Sequence, residues 1–471
     1  MKIFLILTTI LGFLMANNNL PKFYEQTLDN GLKVVAIPME NGTNVITTDI
    51  FYNVGSRDEV MGKSGIAHML EHLNFKSTKN LEAGEFDKIV KGFGGVNNAS
   101  TGFDYTHYYI NSSSSNLDKS LELYSELMEN LTLKDEEFQP ERDVVAEERR
   151  WRTDNNPTGY LYFKLFNNTF SYHPYHWTPI GFMNDIQNWS IEDIKSFHDK
   201  FYAPNNAILL VAGDITKEEV FESAKKHFTD IKNKVTKSDE KFYMYEPEQD
   251  GAKRAIIHKD SQVQILAMNF HIPNYLHPDQ VSLSAMSELL SSGKSSRLNE
   301  ILIDEKQLVN TIYAYNMELK DPGVYMFLAV CNPGVDAKDV EKIIWEEIEK
   351  VKSGDVKQSE LDTIKINTKS DFIFSLESSS SVASLYGSYM IRGDISPLLD
   401  YEADLAKVTK ESIQAVAKKY LTKDNSTTVI LKQKEDEIVQ TTSEDSHSSE
   451  DLNETVETVE TIEMGENEKE F

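Results

Sequence analysis

Apolar and polar positions follow two different periods along the chain. Residues 32–38 and 44–54 are rich in β-branched and aromatic side chains and read as strands. Residues 65–76, 83–91 and 117–131 instead repeat apolar positions at helical spacing, and 105–111 returns to strand-like alternation. The continuous apolar run 208–212, closed by Gly213 and Asp214, predicts a buried strand ending in a turn. No glycine-rich turn follows an early strand. The mixture therefore predicts an α+β fold of largely antiparallel sheets flanked by helices, not a doubly wound parallel sheet.

The pattern recurs. Residues 200–207 lead into the run at 208–211, and residues 419–426 lead in the same way into 427–431, an offset of 219. That offset also carries the strand-like 46–51 onto the strand-like 265–270. Two related halves of roughly 200 residues follow, a duplication rather than a solenoid. They are assigned to residues 20–235 and 253–434, joined by the polar linker 236–252 with its Pro247 and Gly251.

Both ends fall outside this scheme. Met1-Lys2 precedes an apolar run to Met15, too short to span a bilayer and suited to a signal-peptide core, with Ala16 as the final residue before cleavage. Residues 1–16 are thus expected to direct export, to the periplasm or another extracytoplasmic space; an uncleaved signal would leave a membrane anchor. Residues 435–471 hold 14 acidic side chains against Lys469 and one aromatic, Phe471, and are expected to be disordered. A solubilising tail is the plainer reading and partner binding the other.

Composition then limits the chemistry. The 471 residues carry 48 basic and 76 acidic side chains, a net −28, which argues against nucleic acid or anionic membrane as the main partner. Cys331 stands alone, so there is neither an intramolecular disulfide framework nor a cysteine-based zinc cluster. A functional metal has to rest on histidine and carboxylate.

Two of the 11 histidines supply that possibility. His68-Met69-Leu70-Glu71-His72 is an H-x-x-E-H motif within a helical stretch. At about 100° per residue, His72 lies about 40° from His68, Glu71 about 60° to the other side and Phe75 between them. Ile66, Met69, Leu70 and Leu73 occupy the opposite, core-facing side. Imidazoles at i and i+4 can share one zinc ion, and the carboxylate before the second histidine can reach its water. Catalytic zinc needs a third protein ligand and an open position. Residues 141–150 form a good helix in which Glu141 and Glu148, seven apart, share a face. One could ligate while the other steadies the site; spacing alone does not separate Glu148 from Glu147, and a solvated charged face is the ordinary reading of such a helix.

Two decoys are set aside. Gly293-Lys294-Ser295 resembles the end of a phosphate-binding loop, but Glu288 replaces its first glycine. His173 and His176 are spaced like a ligand pair, yet Pro174 and Pro179 oppose a regular helix.

Residues 68–78, together with Val54-Gly55-Ser56-Arg57-Asp58-Glu59 upstream and Glu141-Arg142-Asp143-Val144 downstream, resemble the signatures of the pitrilysin/insulinase family of inverted-motif zinc peptidases. That family includes the mitochondrial processing peptidases and bacterial two-domain members. The similarity runs from about residue 30 to 434. It implies two related halves closing as a clamshell around a chamber for extended peptides. It places the third ligand on Glu148, beside His68 and His72, and the supporting acid on Glu141. Asn98-Ala99-Ser100-Thr101 resembles the family's substrate-binding edge strand, where a peptide is held by β-augmentation.

The second half departs from the family. Ser295-Ser296-Arg297-Leu298 and Asp321-Pro322-Gly323 fit, but Ile303 and Asn310 stand where many active members carry an Arg and a Tyr. The 219-residue offset carries His68, Glu71 and His72 onto Ser287, Leu290 and Ser291, so this half is expected to be metal-free. Tyr313 and Tyr315 are candidate substitutes for the missing donors. The expectation is an exported endopeptidase with one zinc ion, in which Glu71 activates the zinc-bound water toward the bond of an extended or unfolded polypeptide. The alternative is a non-catalytic or partner-dependent peptide-binding subunit. A heterodimer with a zinc-less relative supplying Arg and Tyr is the expected assembly; the alternative is a chain that works alone or as a homodimer, with Tyr313, Tyr315 or backbone amides in that role.

Overall fold

A computed structural model describes residues 19–233 and 245–434. The signal-like segment 1–16, the acidic tail 435–471 and the first part of the linker lie outside the described residues. Among the described residues no helix is long and apolar enough to cross a membrane.

Six strands of the first half form one sheet: β1 (Tyr24–Thr27), β2 (Lys33–Pro38), β3 (Val45–Tyr52), β4 (Val96–Thr101), β5 (Thr106–Ser113) and β6 (Ala207–Gly213), in the spatial order β1-β2-β6-β3-β5-β4. The second half builds β7 (Lys253–Lys259), β8 (Ile265–His271), β9 (Val309–Met317), β10 (Val324–Cys331) and β11 (Ser426–Gln433) into the order β7-β11-β8-β10-β9. In each sheet one pair is parallel, β2 with β6 and β7 with β11, and the remaining neighbours run antiparallel. The two sheets thus repeat one design, as the offset predicts, and β4 and β9 are the corresponding edges.

The central strands are apolar on both faces because both faces are covered. In the first sheet Val34, Ala36, Ile50, Leu209 and Val211 point to the helices of their own half. Their neighbours Val35, Ile37, Phe51, Ile208 and Leu210 pack instead on Val382, Ala383, Tyr386 and Met390, from helix Ser379–Arg392 of the second half. The exchange is mutual. Leu161 and Leu165, from helix Pro157–Thr169 of the first half, pack on Ile265, Ala267, Val429 and Leu431 of the second sheet. Each half therefore lends the other one helix across the boundary placed at the linker.

Where the turns after β4 and β9 meet, the junction is polar and tight. Asp321 Oδ2 accepts from Arg57 Nη2 at 2.5 Å and lies 3.0 Å from His173 Nε2. Asp104 accepts from the Lys320 amide at 2.7 Å and from the Tyr175 hydroxyl. Burial alone would raise the Asp321 carboxyl, but the His173 hydrogen bond and Arg57 bring it down to about 2. A carboxyl depressed by folding stabilises above its unfolded value and loses that contribution as pH falls through its folded value. The Asp321→Asn chain should be less stable than the parent by about 1–2 kcal/mol at neutral pH, discounted for partial exposure. Urea midpoints measured between pH 6 and 2 should show that difference shrinking below about pH 4. A gap that stays constant to pH 2 would remove Asp321 as its source.

Candidate metal centre

Helix Ile66–Asn74 begins at Gly65, whose φ of +83° suits glycine and whose Cβ, if present, would crowd the Ile180 carbonyl. Buried Glu59 accepts from the amides of Gly65 and Ala67 at 2.8 and 2.9 Å, closing the first turn. Ile66, Met69, Leu70 and Leu73 are buried, which leaves His68, Glu71 and His72 on the opposite side. Phe75 departs from the wheel. The helix ends at Asn74, and the Phe75 ring turns onto Phe86 and Tyr108 rather than over the imidazoles.

Helix Asp135–Arg149 crosses beside it and brings Glu148 to the pair. Glu148 Oε2 stands 3.6 Å from His68 Nε2 and 3.4 Å from His72 Nε2. Three donor atoms of His68, His72 and Glu148 lie within 4.8 Å of one another, and no other such group occurs among the described residues. Glu147 points away, 72% exposed beside Arg150, against 17% for Glu148. Geometry thus separates the two glutamates that spacing left open. His173 and His176 do not converge: the first pairs with Asp321, and the second faces the Phe170 carbonyl from a 3-10 turn.

The group fits zinc. Glu148 Oε2 is buried with no hydrogen-bond partner, aimed between two ring nitrogens. Bonds of about 2.0–2.1 Å in a tetrahedron set donors roughly 3.4 Å apart, close to the two distances above. Two nitrogens and one carboxylate oxygen leave a fourth position open. Glu141 Oε1 lies 2.8 Å from His72 Nδ1 and its other oxygen 2.5 Å from Lys76 Nζ, so the ring is oriented from behind.

Electrostatics agree with this division. Burial would raise the Glu148 carboxyl, but His72, His68 and Arg152 hold it down at about 2, ionised as a ligand must be. Burial lowers His68, whereas His72 is raised to about 9 by Glu141 and Glu148 against the effect of burial. At His72, then, a metal competes with a proton.

Glu71 Oε2 accepts from the Thr101 hydroxyl, at the end of β4. Asn98, Ala99, Ser100 and Thr101 pair with Tyr109, Tyr108, His107 and Thr106 of β5 on one side only, leaving the other edge without a strand. Arg152 was not singled out from sequence. Its Nε sits 3.0 Å from Glu148 Oε1, and the i, i+4 spacing could have signalled it. Across the molecule, Ile303 packs against the second core, Asn310 is exposed, and Tyr313 and Tyr315 are 48% and 38% exposed on β9.

Comparison with known proteins gives the family of the chain. The model of the insulinase family (Peptidase family M16) matches residues 34–176, and that of the Peptidase M16 inactive domain matches 188–368. A zinc protease PqqE of Helicobacter pylori is 54% identical over 428 residues, covering 91% of this chain and 96% of the relative. A protein of Arabidopsis thaliana described as probable subunit beta of the mitochondrial-processing peptidase is 25% identical over 412 residues, 85% of this chain and 76% of its own. The crystal structure of a protease from Helicobacter pylori superimposes with a TM-score of 0.86 at 55% identity, over 88% of this chain and 100% of the other. The chain belongs to the pitrilysin/insulinase family of metallopeptidases, peptidase family M16.

Proposed function

We propose that the chain is a zinc endopeptidase that holds an extended or unfolded polypeptide as an added strand on β4. The observation that carries this reading is the convergence of His68, His72 and Glu148, with Glu71 tied to the end of that open edge. Zinc, when bound, supplies a Lewis acid that activates water and polarises a carbonyl. The chain's own groups do the rest. Backbone amides and carbonyls of Asn98–Thr101 align the peptide. Glu71, fixed by Thr101, takes a proton from the attacking water and returns it to the departing amine. Glu141 keeps the His72 ring in place. Export by residues 1–16 belongs to the same proposal.

Metal analysis of the isolated chain, joined to digestion of a peptide library, tests it. One zinc per chain and internal cleavage of unstructured peptides are expected. A chain that binds peptides yet holds no zinc and cuts nothing would favour the alternative, a peptide-binding subunit.

Ile303 and Asn310 bear on the assembly. Loss of one oxyanion donor typically costs about 10²–10³ in turnover. Low turnover is therefore expected of the isolated chain, with a gain when a zinc-less relative co-purified from the native host is added. Mutating that partner's Arg or Tyr should cancel the gain without changing zinc content here. Strong turnover by a homogeneous recombinant chain would instead assign the role to Tyr313, Tyr315 or a homodimer.

A further inference from the structure

The helix that carries Glu148 widens into a π-turn over Arg150–Asp154, directly after the ligand, a distortion frequent at functional sites. The turn is firmly seated. The Arg152 carbonyl lies so close to Gly159, in helix Pro157–Thr169, that any Cβ there would overlap it. The Arg152 side chain runs back to Glu148, its Nε 3.0 Å from Oε1, the carboxylate oxygen not turned to the imidazoles. Burial does most to lower the His68 ring, and Arg152 is near enough to act in the same direction. Neighbouring cations are engaged elsewhere: Lys76 on Glu141, Arg150 on Glu147 and Arg149 on Asp154. Beyond its ion pair with Glu148, Arg152 makes no hydrogen bond to any described residue, and its side chain is 63% exposed.

Once Glu148 is spent on a dication, its charge no longer balances Arg152. A guanidinium with its two terminal amino groups open to solvent is then left beside the metal. Helix Ile66–Asn74 carries both the Glu71–Thr101 link to β4 and the histidines that meet Glu148. Every second side chain of a peptide added to β4 points to the helix side of the sheet, toward this group. We propose that Arg152 sets specificity at the site, as a fork that takes a carboxylate of the bound peptide beside the bond that is cut. The carboxylate belongs to an Asp or Glu side chain or to the C-terminus of a short peptide. This rests on the endopeptidase reading. The planar guanidinium can hold a carboxylate through two parallel charge-assisted hydrogen bonds, which an uncharged amide cannot match.

The test uses the zinc-loaded, full-length Glu71→Gln chain, which holds peptide without turning it over. One series of probes is synthetic end-blocked peptides with Glu or Gln scanned through the central positions. The other is short peptides ending in a free acid or an amide. The charged member should bind about tenfold more tightly than its uncharged counterpart at low salt, and the gain should shrink as salt rises. A gain in either series supports the fork and names the source of the carboxylate; no gain in both overturns it. Placing Arg152→Gln in this background should cut the ratio to about twofold with zinc content unaltered, while Arg152→Lys, a point charge without the fork, should keep part of it. An unchanged ratio in Arg152→Gln overturns the fork and leaves the endopeptidase reading intact. So does loss of zinc in Arg152→Gln with the ratio restored when zinc is resupplied, which would make Arg152 a support for Glu148 alone. Carboxylate-selective binding with no cleavage by the zinc-loaded parent chain overturns the endopeptidase reading and leaves the fork. Failure to bind any peptide overturns both.

Discussion

Glu71→Gln should lower turnover by about 10³-fold or more while zinc stays near one per chain. Glu71 is held by the Thr101 hydroxyl and is not one of the three clustered donors, and removing a general base costs typically 10²–10⁴. His68→Ala, His72→Ala and Glu148→Gln should lose metal and activity together. Glu147→Gln should lose neither, because its carboxylate is spent on Arg150 at the surface. Glu141→Gln falls between these, with zinc bound roughly 10–100-fold more weakly as the His72 ring loses its anchor. Zinc by atomic absorption and initial rates on one peptide separate these outcomes. Full turnover in Glu71→Gln would sink the mechanism. Retained zinc in Glu148→Gln, with loss in Glu147→Gln, would move the third ligand by one residue.

How much of this was legible follows from the range of each interaction. The His68–His72 pair lies within one helical turn, and Ile66, Met69, Leu70 and Leu73 fix which way that turn faces. Sequence therefore gives the pair directly. Glu148 lies 76 residues further on, and a helix of alternating charge presents Glu147 and Glu148 with equal claim until packing buries one face. Strand periodicity and the 219-residue offset anticipated the paired sheets, because each strand carries its own alternation. The exchanged helices left no comparable mark. The apolar side of Pro157–Thr169 looks the same whether it covers its own sheet or the other half's. Phe75 failed for a local reason: the helix stopped one residue earlier than the wheel assumed. The Arg57–Asp321 contact joins residues 264 apart, and nothing in either neighbourhood marks the other.

The exchange itself makes the second large prediction. Gly387 sits in helix Ser379–Arg392, where a Cβ would overlap the ring of buried Phe51 on β3. That ring is held in turn by stacking on His107 at 4.9 Å. Glycine in a helix interior usually costs up to about 1 kcal/mol relative to alanine, so here the close approach of helix to sheet outweighs propensity. Gly387→Leu should destabilise the chain by about 3 kcal/mol or more, through overpacking that neither element can relieve by a rotamer change. Phe51→Ala alone should cost a similar amount by opening a cavity. Combined, they should cost clearly less than their sum, because the leucine then fills the space of the lost ring. Urea unfolding of the four chains gives the coupling, and limited proteolysis should find 379–392 exposed early in Gly387→Leu alone. Strict additivity would mean that the helix does not seat on Phe51 in solution, and that the halves hold together without the exchange.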